Sequence, residues 1–179
     1  MFHSSTQRLV DYWRSLRTGD QAPARAAFDP ARMADVLPQV FIVGLDGDAL
    51  PFRLAGGLLT DLHGRGLRGE DFGRLWSRQG RGALNGAAAA AVRDREPVVL
   101  RAEGFTDEGQ PLGLEIVLAP LTGPDGRIDR LVGLYQPTTT VARLRNRPLV
   151  ELHPRLTVYA APQAEPHLKL AAVDGRRIA

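Results

Sequence analysis

Residues 112–136 read LGLEIVLAPLTGPDGRIDRLVGLYQ, and this stretch decides the fold class. Leu114, Ile116 and Leu118 alternate with Glu115, Val117 and Ala119, which is the two-residue period of a β-strand. Thr122-Gly123-Pro124-Asp125-Gly126 then gathers turn formers, because proline sets φ and glycine admits positive φ. Ile128, Leu131, Val132, Leu134 and Tyr135 form a returning strand. An apolar hairpin of this length requires further strands and a cover.

The upstream chain reads as that supply. Leu9, Tyr12, Trp13 and Leu16 recur at helical spacing, so Ser4–Leu16 is an expected helix, with Ser5 or Thr6 as its cap and Gly19 as its stop. Its apolar stripe suits two uses: cover for the chain's own sheet, or an interface with a second copy. Asp29 and Pro30 open a short helix over Ala31–Leu37. Val40–Val43 and Pro51–Leu54 flank an Asp46-Gly47-Asp48 turn as two strands. Leu58, Leu59 and Leu62 mark a short helix, Gly82–Arg95 a longer one, and Val98–Phe105 another strand. The order of two strands, clustered helices and three strands is an α+β layout.

That order resembles PAS sensory domains. Pro120-Leu121, the Asp125-Gly126 turn and Arg130-Leu-Val-Gly-Leu134 are similar to the last two strands of that family. A closer likeness is to a branch of short bacterial PAS-type regulatory proteins with a single PAS-like domain. It is carried by Trp13–Arg17 with Gly19 and Pro23, Asp29-Pro30, Leu37-Pro38, Arg53–Gly56, His63-Gly64, Leu67–Gly69, Leu75-Trp76 and Glu115. The resemblance implies a five-stranded antiparallel sheet with helices on one face, plus the amino-terminal amphipathic helix. It also implies a non-catalytic sensory or regulatory role in bacterial signalling. The chain departs from many PAS domains at its exit, where an Asp-Ile-Thr motif is replaced by Gln136-Pro137-Thr138-Thr139. No kinase or cyclase domain follows, so a separate signalling protein is the expected partner. The expected division is residues 1–24 as helix and linker, 25–140 as the PAS-like domain, and 141–179 as a partly flexible extension. Within the extension, Leu156–Tyr159 reads as a further strand, while Pro162, Pro166 and Gly175 read as flexible.

Composition narrows the chemistry. The 179 residues include no cysteine, which excludes a flavin–cysteine adduct, disulfides and thiolate metal sites. A haem ligand is expected on the long helix, and Gly82–Arg95 carries no histidine, so haem is not expected. His3, His63, His153 and His167 stand apart, without metal-ligand spacing. No run of about 18 apolar residues occurs, so no membrane span is expected. The first twenty residues lack the apolar block of a signal peptide, and cytoplasmic residence is the resulting expectation. The net charge of +3 is spread along the chain. Only Arg143, Arg145 and Arg147 cluster, and a short charge run reads as a solvated end, so nucleic acid is not the expected partner and a weak nucleic-acid binder using these arginines is the second alternative. The Arg143/Arg147 pair lacks the companion motif of cyclic-dinucleotide binders.

A small-molecule ligand remains open, its identity unknown. Phe72 and Trp76 suit either core or the lining of a cleft between helices and sheet. His63 suits a backbone-bonded turn beside Gly64, and Tyr135 on the returning strand completes the set. Glu115 reads either as a buried acid at a site or as a residue on the less buried side paired with Arg101 or Arg130. Arg53, before Gly56-Gly57, reads as a corner residue tied to an acid or as one wall of an anion site. The leading alternative is a small α+β enzyme or ligand-binding domain with a cavity near Arg53, Glu115 and Trp76. Leu9, Tyr12, Trp13 and Leu16 are the candidate surface for a homodimer.

Overall fold

The Leu112–Gln136 hairpin is the centre of the sheet. A computed structural model describes residues 1–159 of the chain. Its strands are β1 (Val40–Gly44), β2 (Phe52–Ala55), β3 (Val98–Thr106), β4 (Pro111–Thr122), β5 (Ile128–Pro137) and β6 (Leu149–Tyr159). They lie in the order β2-β1-β5-β4-β3-β6, each antiparallel to its neighbours. Glu115 lies opposite Gln136 and Val117 opposite Leu134 across the central pair. Gly133 on β5 has no side chain for a reason: a Cβ there would stand 2.2 Å from Cζ of Phe41.

Alternation along β4 sends even residues to one face and odd residues to the other. Leu114, Ile116 and Leu118 pack with α2 (Gly57–His63) and α3 (Arg78–Asp94). Val117, Ala119 and Leu121 pack beneath α1 (Ser4–Ser15). Ala87, Ala88, Ala90 and Ala91 are buried on α3, and their small side chains let the helix lie close to the sheet. Ser77 caps α3, its Oγ accepting the Gly80 N–H at 3.0 Å, so this helix begins four residues before the expected start at Gly82.

Three expectations change. The five-stranded sheet gains a sixth strand, because the extension returns along the β3 edge as β6. Leu156–Tyr159 is only its end, and Pro162, Pro166 and Gly175 lie outside the described residues. The odd face of β4 is not the less buried one, since α1 covers it. The cap of α1 is neither Ser5 nor Thr6: His3 Nδ1 accepts the Ser5 N–H at 3.2 Å, while Thr6 is buried.

Candidate functional site

The α2–α3 side of the sheet holds a polar pair inside an aromatic core. His63 is the last residue of α2, and Gly64 at φ +64° ends the helix in the left-handed region. That stop turns the imidazole inward, where it is 5% exposed. Its Nδ1 is 3.2 Å from the Leu149 carbonyl oxygen, and its Nε2 is 3.1 Å from the Tyr135 hydroxyl. A carbonyl oxygen has no hydrogen to give, so Nδ1 carries the proton and donates it. Nε2 of the neutral ring is therefore an acceptor, and the Tyr135 O–H donates to it.

Both groups are held uncharged. Burial lowers the His63 pKa from 6.5 to about 4, opposed by the Leu149 carbonyl and Glu70 and assisted by Arg65. Burial pushes the Tyr135 phenol well above its usual range.

Phe72 and Trp76 flank a short 3-10 turn on the same side, Phe72–Leu75, with Trp76 as the residue that ends it. The ring of Phe72 lies 5.2 Å from Phe41, 5.1 Å from Phe52 and 5.9 Å from Trp76 between centroids. Trp76 is 2% exposed, and its indole Nε1 has no hydrogen-bond partner. A buried donor without an acceptor costs roughly 1–3 kcal/mol. An open cleft of about 350 Å³ between α3 and the β1–β2 turn shares no lining residue with these four side chains.

The structure thus brings His63, Phe72, Trp76 and Tyr135 to one side of the sheet. Arg53 and Glu115 lie elsewhere. Glu115 is 3% exposed on the α1 side, where its carboxylate accepts from Arg101 at 3.2 Å and from the His3 N–H at 2.9 Å. The Arg101 pairing follows the β3–β4 register, which sets the two residues opposite each other. Arg53 is exposed on the edge strand β2, its guanidinium lying over Gly44. A single cavity bounded by Arg53, Glu115 and Trp76 is not assembled.

Leu9 and Trp13 are buried against the chain's own sheet, so the cover reading of that stripe describes the fold. Tyr12 is half-buried, donating to the Asp29 carbonyl at 3.3 Å and accepting the Asp29 N–H at 2.9 Å; Leu16 is also half-buried. Arg147 is neutralised by Asp107 and Glu108, which removes one member of the arginine cluster. No group of three potential metal ligands occurs among the described residues. The His63 partner that side-chain patterns missed is the Leu149 carbonyl, because a backbone acceptor leaves no mark in residue identity.

The PAS domain profile matches residues 1–136, three-quarters of the chain, in the span that holds α1–α3, β1–β4 and all of β5 but its last residue. The chain belongs to the PAS domain family. No curated protein matches it. Among solved structures, an RNA-binding light-oxygen-voltage receptor is similar at 16% identity and TM-score 0.47, over 73% of this chain and 38% of that one. The dark-state LOV domain of the blue-light photoreceptor Aureochrome1 is similar at 13% identity and TM-score 0.47, over 65% and 87%. A Rhodobacter sphaeroides LOV protein stands at 12% and 0.47, over 65% and 72%. The chain spans well under half the length of the RNA-binding receptor. PAS membership sets β6 apart, because Leu149–Tyr159 lies wholly beyond the matched residues.

Proposed function

We propose that this PAS domain is a non-catalytic sensory or regulatory module of bacterial signalling. A small molecule in the α2–α3 side of the core shifts its conformational balance, and a separate protein reads the shift. The observation that carries this reading is the Trp76 indole N–H, buried without an acceptor on the same side of the sheet as the hydrogen-bonded His63–Tyr135 pair. Buried orphan donors are uncommon in stable cores and gather where a site needs them. A ligand bringing one acceptor atom to Nε1 would recover that cost and gain affinity from it. Phe72 and Trp76 supply apolar contact, and His63 and Tyr135 supply orientation.

Self-association through α1 would have to use Tyr12 and Leu16, since Leu9 and Trp13 face the sheet. Nucleic acid is not the proposed partner, because Arg147 is already paired.

The test is native mass spectrometry of freshly purified protein with an absorbance scan of the same sample. The expected result is a bound small molecule, released on denaturation and lost in Trp76→Phe. An empty monomer would overturn ligand sensing. An empty dimer would also overturn it, and would leave protein docking as the mode of action.

A further inference from the structure

Most polar groups on the α2–α3 side already have partners, and the one left over describes the ligand. His63 Nδ1 donates to the Leu149 carbonyl, and Nε2 accepts from the Tyr135 hydroxyl. Ser77 Oγ accepts the Gly80 N–H. The Trp76 indole N–H is the buried donor without an acceptor. We propose that the ligand of this core is an uncharged, mainly apolar molecule anchored by a carbonyl oxygen that accepts the Trp76 N–H. The proposal rests on the sensory reading for the presence of a ligand, and on the buried groups for its chemistry.

Charge is excluded by what surrounds the site. Among the described residues, the buried ionisable side chains are His63, Tyr135 and Glu115. Glu115 belongs to the α1 side, where Arg101 pairs with it. Burial keeps His63 and Tyr135 neutral. The arginines on and beside the covering helices, Arg65, Arg68, Arg74, Arg78 and Arg81, are exposed. A carboxylate, phosphate or ammonium group enclosed here would therefore meet no buried counter-charge. An unpaired charge is among the costliest groups a core can hold.

The anchor follows from hydrogen-bond capacity. A hydroxyl or an amide can also accept from Trp76, but each brings a hydrogen that needs an acceptor in turn. Both His63 nitrogens are engaged, so neither can take it. A carbonyl oxygen accepts and donates nothing, and it satisfies Trp76 without creating a new orphan. The rest of the molecule meets Phe72 and the buried alanines of α3, which offer apolar contact alone.

The chain has two tryptophans, so two indole N–H signals are expected in 1H–15N spectra of the full chain. Trp13, bonded to the Pro120 carbonyl at 2.7 Å, is the internal reference, and Trp76→Phe assigns the other signal. Four probes share one aromatic frame: acetophenone, 1-phenylethanol, ethylbenzene and 4-acetylbenzoate. Acetophenone should move the Trp76 signal downfield and leave that of Trp13 in place. Ethylbenzene has no acceptor and should bind about tenfold more weakly, the worth of one hydrogen bond. The alcohol should also bind more weakly than the ketone. The carboxylate of 4-acetylbenzoate should weaken binding by at least about a hundredfold. In Trp76→Phe, acetophenone should fall to the affinity of ethylbenzene, read from backbone amide shifts over α2 and α3.

Equal affinity for acetophenone and ethylbenzene overturns the acceptor, and so does a Trp76 signal that stays still as acetophenone binds. Equal affinity for the alcohol overturns the carbonyl, and equal affinity for 4-acetylbenzoate overturns the exclusion of charge. Each of these outcomes still leaves a core that binds small molecules, so the sensory reading survives them. Binding by none of the four overturns the ligand class. A charged molecule retained in the native mass spectrum then spares the sensory reading, whereas an empty protein sinks both.

Discussion

On the α1 side of the sheet, Trp13 gives its indole N–H to the Pro120 carbonyl at 2.7 Å. On the α2–α3 side, Trp76 is buried almost as completely and gives its own to nothing. Both faces are apolar for the same reason, the alternation of β4 and β5. They differ in how their polar atoms are settled. The α1 face carries a charged group, Glu115, and meets it with Arg101 and the His3 amide. The other face carries an imidazole and a phenol that satisfy each other, and elsewhere on it a donor left over. Hydrophobicity does not separate the two faces, and each leaves a buried polar atom without a partner, Thr6 Oγ1 under α1 and Trp76 Nε1 on the other side; what differs is how the buried tryptophan on each face is settled.

The largest effect that this contrast requires is at Trp13. Trp13→Ala removes a fully buried indole and strands the Pro120 carbonyl, and should cost about 3–5 kcal/mol in urea unfolding. A loss under about 1 kcal/mol would mean that α1 is a loose cover, and the contrast would fail.

Next is the pH response of the opposite face. The unfolded His63 ring takes up a proton near pH 6.5, whereas the folded ring does so only near 4. Between those values the unfolded chain binds more protons, so stability falls as pH falls. Stability is full above about pH 7, and roughly 3 kcal/mol is lost by about pH 4. The charged neighbours Arg65 and Glu70 pull in opposite directions, and the fully buried Tyr135 stays neutral throughout. His63→Asn should flatten this slope in urea titrations across the window. An unchanged slope would assign the acid sensitivity to another group.

Glu115→Ala should cost less, on the order of 2 kcal/mol, because Arg101 is 39% exposed and can return to water. The His3 N–H would lose its acceptor, and hydrogen exchange should quicken in the first turn of α1. Exchange quickening instead over α2 and β6 would show that the two faces are not independent.

These elements differed in how far the sequence exposed them. The β4–β5 hairpin was legible because a two-residue period over twenty-five residues has few other meanings. The pairing of Glu115 with an arginine was legible, and the β3–β4 register is what selects Arg101 over Arg130. β6 was mostly hidden. Pro154 and Arg155 interrupt its alternation at a register shift against β3, so only its last residues read as a strand. The inward turn of His63 was hidden more deeply. Gly64 marked the helix stop, but the partners, Tyr135 and the Leu149 carbonyl, stand 72 and 86 residues away. Tertiary proximity of that kind has no local signature.

The smallest effect is the sharpest test. Trp76→Phe removes the indole N–H and part of the ring. Lost packing is unfavourable, while removal of a buried donor worth roughly 1–3 kcal/mol is favourable. The two oppose, so the change should lie within about 1 kcal/mol of wild type. Trp13→Phe loses the same atoms and also strands an acceptor, so both contributions act against it. The two substitutions are chemically identical, at two sites of nearly equal burial. Their difference reports the hydrogen bond together with the Arg17 guanidinium that lies 5.7 Å from the Trp13 ring centroid. If both cost the same, the Trp76 donor is satisfied by solvent within the core, and the argument for a ligand acceptor beside it falls.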